Sequence, residues 1–115
     1  ATAATLLTCK GKGVLATGYE SSQGFVVKAG SHAVAESVPS MQQHVRGMFE
    51  LRQELIGNGV LAAEASGYRF SQDYVFTSPS TAAAVVLGRS ANGRIEWKDA
   101  QGRTLKDLQA QEAAA

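Results

Sequence analysis

A single cysteine, Cys9, excludes an intrachain disulfide and any cysteine-rich zinc site. So sparing a use of cysteine suits a reducing compartment, and the expected location is the cytoplasm. No apolar run approaches the roughly 18 residues of a membrane span, so no membrane partner is expected. Leu6-Leu7 is far too short for the apolar stretch of a secretory signal, and no basic region precedes it. Charged residues make up only 18% of the chain, against roughly 25% in globular chains generally. The net charge of +1 denies the molecule a broad basic field. His32 and His44 stand apart and poorly accompanied, so neither a metal nor a cofactor is expected. Walker A, dinucleotide-binding glycine, His-Glu-x-x-His and Gly-x-Ser-x-Gly patterns are all missing. The first residue is not Met, which fits a processed protein or a domain of a larger one.

Small residues fill the space that charge leaves. Alanine is abundant, glycines number 12, and apolar residues reach 44%. The 115 residues suit one domain with a modest core. The pattern predicts an α+β fold: short, mostly antiparallel strands packed with one amphipathic helix over about 41–56 and one short buried helix over about 79–87. Residues 5–108 would form the ordered core, with tails at 1–4 and 109–115.

The first third reads as strands at 5–9, 14–19 and 24–29, with Gly11-Lys12-Gly13 and Glu20-Ser21-Ser22-Gln23 as turns. Phe25 and Val27 would share one face. Val38-Pro39-Ser40 signals a helix start. Val45, Met48, Arg52 and Leu55 then fall at helical spacing, and Gly57-Asn58-Gly59 stops the helix. Arg52 on this stripe is expected to carry its head out to the edge. Strands follow at 60–63, 68–71 and 74–77. Ser78 is a strong N-cap, Pro79 suits the first helical position, and Gly88 is the stop. The helix between them is almost uniformly apolar, so it should be buried nearly all round. Asn92-Gly93 signals a tight turn leading into a strand over 94–98. There Ile95 and Trp97 would face the core, opposite Arg94, Glu96 and Lys98. Thr104 and Asp107 stand at capping-box spacing before a short terminal helix. Phe25, Val27, Leu55, Phe76, Ala83, Val86 and Trp97 are the expected core.

No catalytic constellation emerges. Cys9 in an apolar strand reads as a small core residue, and Glu50 with Glu54 as a solvated helix face. The candidate site is a binding site. The helix start at Ser78 and Ser80 offers backbone N–H groups and two hydroxyls to an anion, against the reading as ordinary capping. Arg89, Arg94, Lys98 and Arg103 could contact the phosphates of DNA or RNA, against the reading as a solvated surface.

Four segments carry a resemblance: Asp73-Tyr74-x-Phe76, Ser78-Pro79-Ser80-x-Ala82-Ala83, Gly88-Arg89-Ser90-Ala91-Asn92-Gly93 and Glu96-Trp97-Lys98. Gly24-Phe25-Val26-Val27-x-x-Gly30-Ser31, Val38-Pro39-Ser40 and Leu55-Ile56-x-x-Gly59-Val60-Leu61 agree with them. Over about residues 6–108 the chain resembles a bacterial domain family of unknown function. That family is often appended to the C-terminus of GIY-YIG endonuclease-like and restriction-modification proteins. A lesser likeness is to the module that accompanies restriction-system adenine methylases. The nuclease strands are absent from this sequence, so the resemblance implies no catalytic residue. It implies an accessory module of DNA processing or defence, with a nuclease or methylase domain as partner in the parent protein. The alternative is a protein-interaction or dimerisation module, a homo-oligomer included, joined through exposed hairpin edges. Trp97 and Tyr74 discriminate: an interaction patch would carry them on the surface.

Overall fold

A computed structural model of the chain describes residues 5–114. β1 (Leu7–Gly11) and β2 (Val14–Ser21) form a hairpin whose two turn residues, Lys12 and Gly13, have φ of 49° and 80°. Positive φ at both positions matches the turn to the right-handed twist of the strands. β3 (Gly24–Val27) pairs with β2, and β7 (Tyr74–Phe76) pairs with β3. The result is an antiparallel sheet of order β1-β2-β3-β7. β4 (His32–Ala33), β5 (Leu61–Glu64) and β6 (Gly67–Phe70) make a second antiparallel sheet of order β4-β6-β5. Together with five helices among the described residues this is an α+β architecture, as the sequence pattern implies.

α3 (Pro79–Leu87) is the centre of the fold. Ala82 through Leu87 are all buried. The alanines let the helix lie close to the first sheet, where Phe25, Val27 and Phe76 meet it in one core with Trp97. Phe25 and Trp97 pack with ring centroids 4.6 Å apart. All seven residues expected in the core are there, each at most 1% exposed.

Four expectations need correction. The helix over 41–56 is two helices, α1 (Pro39–His44) and α2 (Arg46–Gly57). Val45 breaks it, at φ −134° and ψ 55°. It closes α1 with its N–H on Met41 O, and its carbonyl starts α2 by accepting from Met48 and Phe49. The apolar spacing runs across this joint and conceals it.

The strand over 94–98 is instead α4 (Gly93–Glu96), capped by Asn92 Oδ1 on the Arg94 amide at 3.1 Å. Asn92-Gly93 is therefore a helix start. Gly93 is there for proximity, since a Cβ at this position would lie 2.2 Å from the Pro79 carbonyl carbon. Trp97 is buried as expected, but Ile95 is 47% exposed.

Arg52 does not reach the edge: it is 2% exposed. Its Nε donates to Val85 O at 3.2 Å, its Nη2 donates to Val34 O, and its guanidinium carbon lies 5.5 Å from the Tyr68 ring centroid. The cause is the end of α3, where the last carbonyls have no amide of their own helix to accept from. Gly88 N–H, in a left-handed cap, takes Ala84 O, Val34 N–H takes Val86 O, and Arg52 takes Val85 O. A cation is also favoured at this negative end of the helix dipole. Burial lowers the pKa of Arg52 from its ordinary value.

Finally, residues 109–114, expected as part of a tail, are helical as the end of α5 (Leu105–Ala114), which begins with the expected capping box. Thr104 N–H donates to Asp107 Oδ2, and Asp107 N–H to Thr104 Oγ1, both at 3.1 Å. The tail expected at 1–4 lies outside the described residues.

Candidate functional site

Most of the residues singled out by sequence serve the fold. Ser78 Oγ caps α3, accepting from the Thr81 amide at 3.1 Å. Ser80 Oγ accepts from Gly93 N–H at 3.0 Å, and the Pro79 carbonyl accepts from Trp97 Nε1 at 3.0 Å. α4 is thus docked on the first turn of α3. Arg89 stands beyond the opposite end of that helix, paired to Glu96 at 3.1 Å. Arg103 is paired to Asp99 at 2.8 Å, and Arg94 Nε donates to Gln109 Oε1 at 2.8 Å. Burial opposes charge on Asp99, but bonds from the Arg103 amide and guanidinium and the Gln101 amide prevail, holding its pKa below its ordinary value. α4 thus gathers Ser80 through Gly93 and Arg89 through Glu96 beside its own Arg94, while Arg103 is held by Asp99.

Lys98 differs from the other five. It is exposed and has no salt-bridge partner among the described residues. Its backbone exchanges two hydrogen bonds with Thr8, at 2.7 and 3.0 Å, so the segment extends the first sheet past β1.

This leads to a surface that the sequence reading missed. Leu7, Cys9, Ala16, Phe25, Val27 and Phe76 fill the core. Alternation therefore turns Thr8, Lys10, Leu15, Thr17, Tyr19, Val26 and Val75 to the other side of the sheet. Register orders them into rows. Thr8 opposes both Lys98 and Thr17, and Lys28 N–H donates to Thr17 O, giving a row Lys98–Thr8–Thr17–Lys28. Lys10 and Leu15 form a second row. Tyr19, Val26 and Val75 form a third. Leu15 and Val75 are 45% and 42% exposed.

Lys10 and Lys28, like Lys98, are exposed and without a salt-bridge partner among the described residues. Asp73 flanks Lys28, its Oδ1 accepting from the Ala29 amide at 2.8 Å. Beside the polar row lies a basin of about 340 Å3 lined by Leu15, Thr17, Lys28, Ser31 and His32 among others. The face combines free cations, hydroxyls and apolar surface. That combination suits an anionic ligand with apolar parts.

Other chemistry-bearing groups are quieter. Burial, with Glu96 nearby, pushes the Cys9 thiol up to about 12, so it stays protonated inside the core. His32 contacts Glu64 at 3.4 Å on the second sheet. No group of three metal-ligating side chains forms among the described residues. Trp97 is buried, and Tyr74 is half-buried with its ring 4.8 Å from that of Phe76, so neither stands on an exposed patch. No described helix is long and apolar enough to cross a membrane.

Compared with known proteins, the family model described as "Domain of unknown function (DUF4357)" matches residues 7–109. No curated protein and no solved structure matches the chain.

Proposed function

Since the chain belongs to the family described as Domain of unknown function (DUF4357), we propose a non-catalytic accessory module that binds nucleic acid for bacterial DNA-processing or defence proteins. The observation that carries this reading is the row Lys98–Thr8–Thr17–Lys28 with Lys10 beside it, three lysines on one open sheet face without a salt-bridge partner among the described residues. Lysine ammonium groups on a solvated face contact phosphates through charge, without reading sequence. The resemblance to domains that accompany GIY-YIG nucleases and restriction components supports the same setting. In the parent protein the catalytic domain cuts or methylates, and this domain holds the polynucleotide.

A second reading has an observation of its own. Leu15 and Val75 are exposed on the same face, which favours a protein-interaction module. Fluorescence anisotropy of labelled oligonucleotides across a salt series separates the two. The nucleic-acid reading expects binding at low salt whose log–log salt slope falls by about 2–3 when Lys10, Lys28 and Lys98 are all changed to Ala, at about 0.7–0.9 per phosphate contact. Arg94→Ala, which removes a group bonded to Gln109, should change the slope little. Absence of binding to any oligonucleotide at low salt, with a concentration-dependent dimer in sedimentation, rejects this reading and establishes the second.

A further inference from the structure

We infer that the occupant of the open sheet face is a single-stranded polynucleotide, read through its phosphates and base planes. The inference rests on the nucleic-acid reading above and names its ligand class.

Three features of the face carry it. Lys98 and Lys28 end the polar row three strand spacings apart, about 14 Å, and Lys10 stands two residues along β1 from Thr8. The lysines therefore address more than one phosphate. Directly beside that row run apolar groups, Leu15 on one side and Tyr19–Val26–Val75 on the other. A duplex exposes phosphates and sugars outward and keeps its bases stacked inside, so these apolar rows would meet nothing apolar. Nor can the sheet enter the duplex. The major groove is about 12 Å wide and admits a helix or a two-stranded ribbon, whereas this sheet has four strands with the Lys98 segment as a fifth rung. A single strand offers what both kinds of row require: a phosphate backbone for the lysines, and unstacked bases for the Tyr19 ring, Leu15 and Val75, while Val26 between Tyr19 and Val75 is itself buried.

The third feature is charge. A second copy docked by a two-fold on this face would set three lysines against three lysines, with Asp73 a flanking carboxylate already bonded to the Ala29 amide. A polyanion meets them without that conflict. The lysines and the hydroxyls of Thr8, Thr17 and Tyr19 can bond the phosphate oxygens of DNA and of RNA alike.

The test is anisotropy with labelled oligo-dT and oligo-rU of about 15 nucleotides, the length a small single-strand site covers, and with a duplex of equal length. Oligo-dT and oligo-rU should bind within about threefold of each other, and the duplex about tenfold more weakly, because it withholds its base planes. Tyr19→Ala should weaken single-strand binding by about tenfold, the order of one lost base stack, and leave the salt slope unchanged. Tyr19→Phe keeps the ring and should bind as the natural chain does. Circular dichroism melts of both variants confirm that the fold persists. Duplex binding as tight as single-strand binding overturns this inference while leaving the nucleic-acid reading in force. So does a Tyr19→Ala variant that binds undiminished. Failure of every oligonucleotide to bind overturns both.

Discussion

Arg52→Met should be among the most damaging single changes in the chain. The methionine keeps the apolar stem but strips the guanidinium from a site that is 2% exposed. Two carbonyls then lose their donor: Val85 O, reached by Nε at 3.2 Å, and Val34 O, reached by Nη2. A buried polar group left without a partner costs about 1–3 kcal/mol. Loss of a cation from the C-terminal end of α3 adds about 0.3–1 kcal/mol. Against these, a buried charge no longer has to be desolvated. The net loss is on the order of 3 kcal/mol. Unfolding entropy near 2.1 cal/mol/K per residue over 115 residues converts this to a fall in Tm of roughly 12 °C. In urea, with a slope of about 2 kcal/mol/M, the midpoint should fall by about 1.5 M. Arg52→Lys should lie between, because one ammonium lacks the planar fork that spans two carbonyls. A urea titration in which Arg52→Met loses less than about 1 kcal/mol would show that the guanidinium does not secure the end of α3, and would refute the burden placed on these bonds.

Gly93→Ala should cost about 1–3 kcal/mol or more by thermal melt, since its Cβ would fall 2.2 Å from the Pro79 carbonyl carbon and 2.3 Å from Ser80 N, both backbone atoms that cannot step aside; an unchanged melt would mean α4 does not dock as described. Ser78→Ala should cost about 1 kcal/mol in the same assay, through loss of the cap on the Thr81 amide. The acid limb of stability should depend on Asp99, whose pKa is lowered in the folded chain from 3.8. A depressed carboxylate stabilises above its unfolded pKa and loses that contribution as pH falls through the folded value, so stability should begin to decline below about pH 4. Asp99→Asn should flatten the dependence there, which denaturant titrations at several pH values would measure.

Local signals were legible wherever a local cause acted. Ser78, Pro79 and Gly88 mark α3 at the bounds the structure has, because capping is settled by residues three or four positions apart. The Thr104–Asp107 box is of the same kind. Arg94–Lys98 misled because alternating residues also fit a single helical turn. Contact between Gly93 and the backbone of Pro79, fourteen positions earlier, decided between the two. Arg52 misled because the carbonyls that bury it belong to residues 34 and 85.

The candidate surface was the least legible part. Charges close in sequence suggested phosphate contacts by Arg89, Arg94, Lys98 and Arg103, yet Arg89 and Arg103 are paired with neighbours only a few positions away. Lys98, Lys10 and Lys28 come from three separate segments, joined by a register that pairs Thr8 with a residue 90 positions on. The alternation of Thr8 and Lys10 with Leu7 and Cys9 was a usable clue to the outward side. It could not say which other strands shared it.

The most direct test maps an oligo-dT titration onto backbone amides by two-dimensional nitrogen–proton NMR. Amides of Thr8, Lys10, Thr17, Tyr19, Lys28 and Lys98 should move together and saturate at one ligand ratio, while those at the start of α3 and along α5 stay in place. Shifts confined to the start of α3 and the residues around Arg89 and Arg103, or no shifts at all, would contradict a binding face on the open side of the sheet.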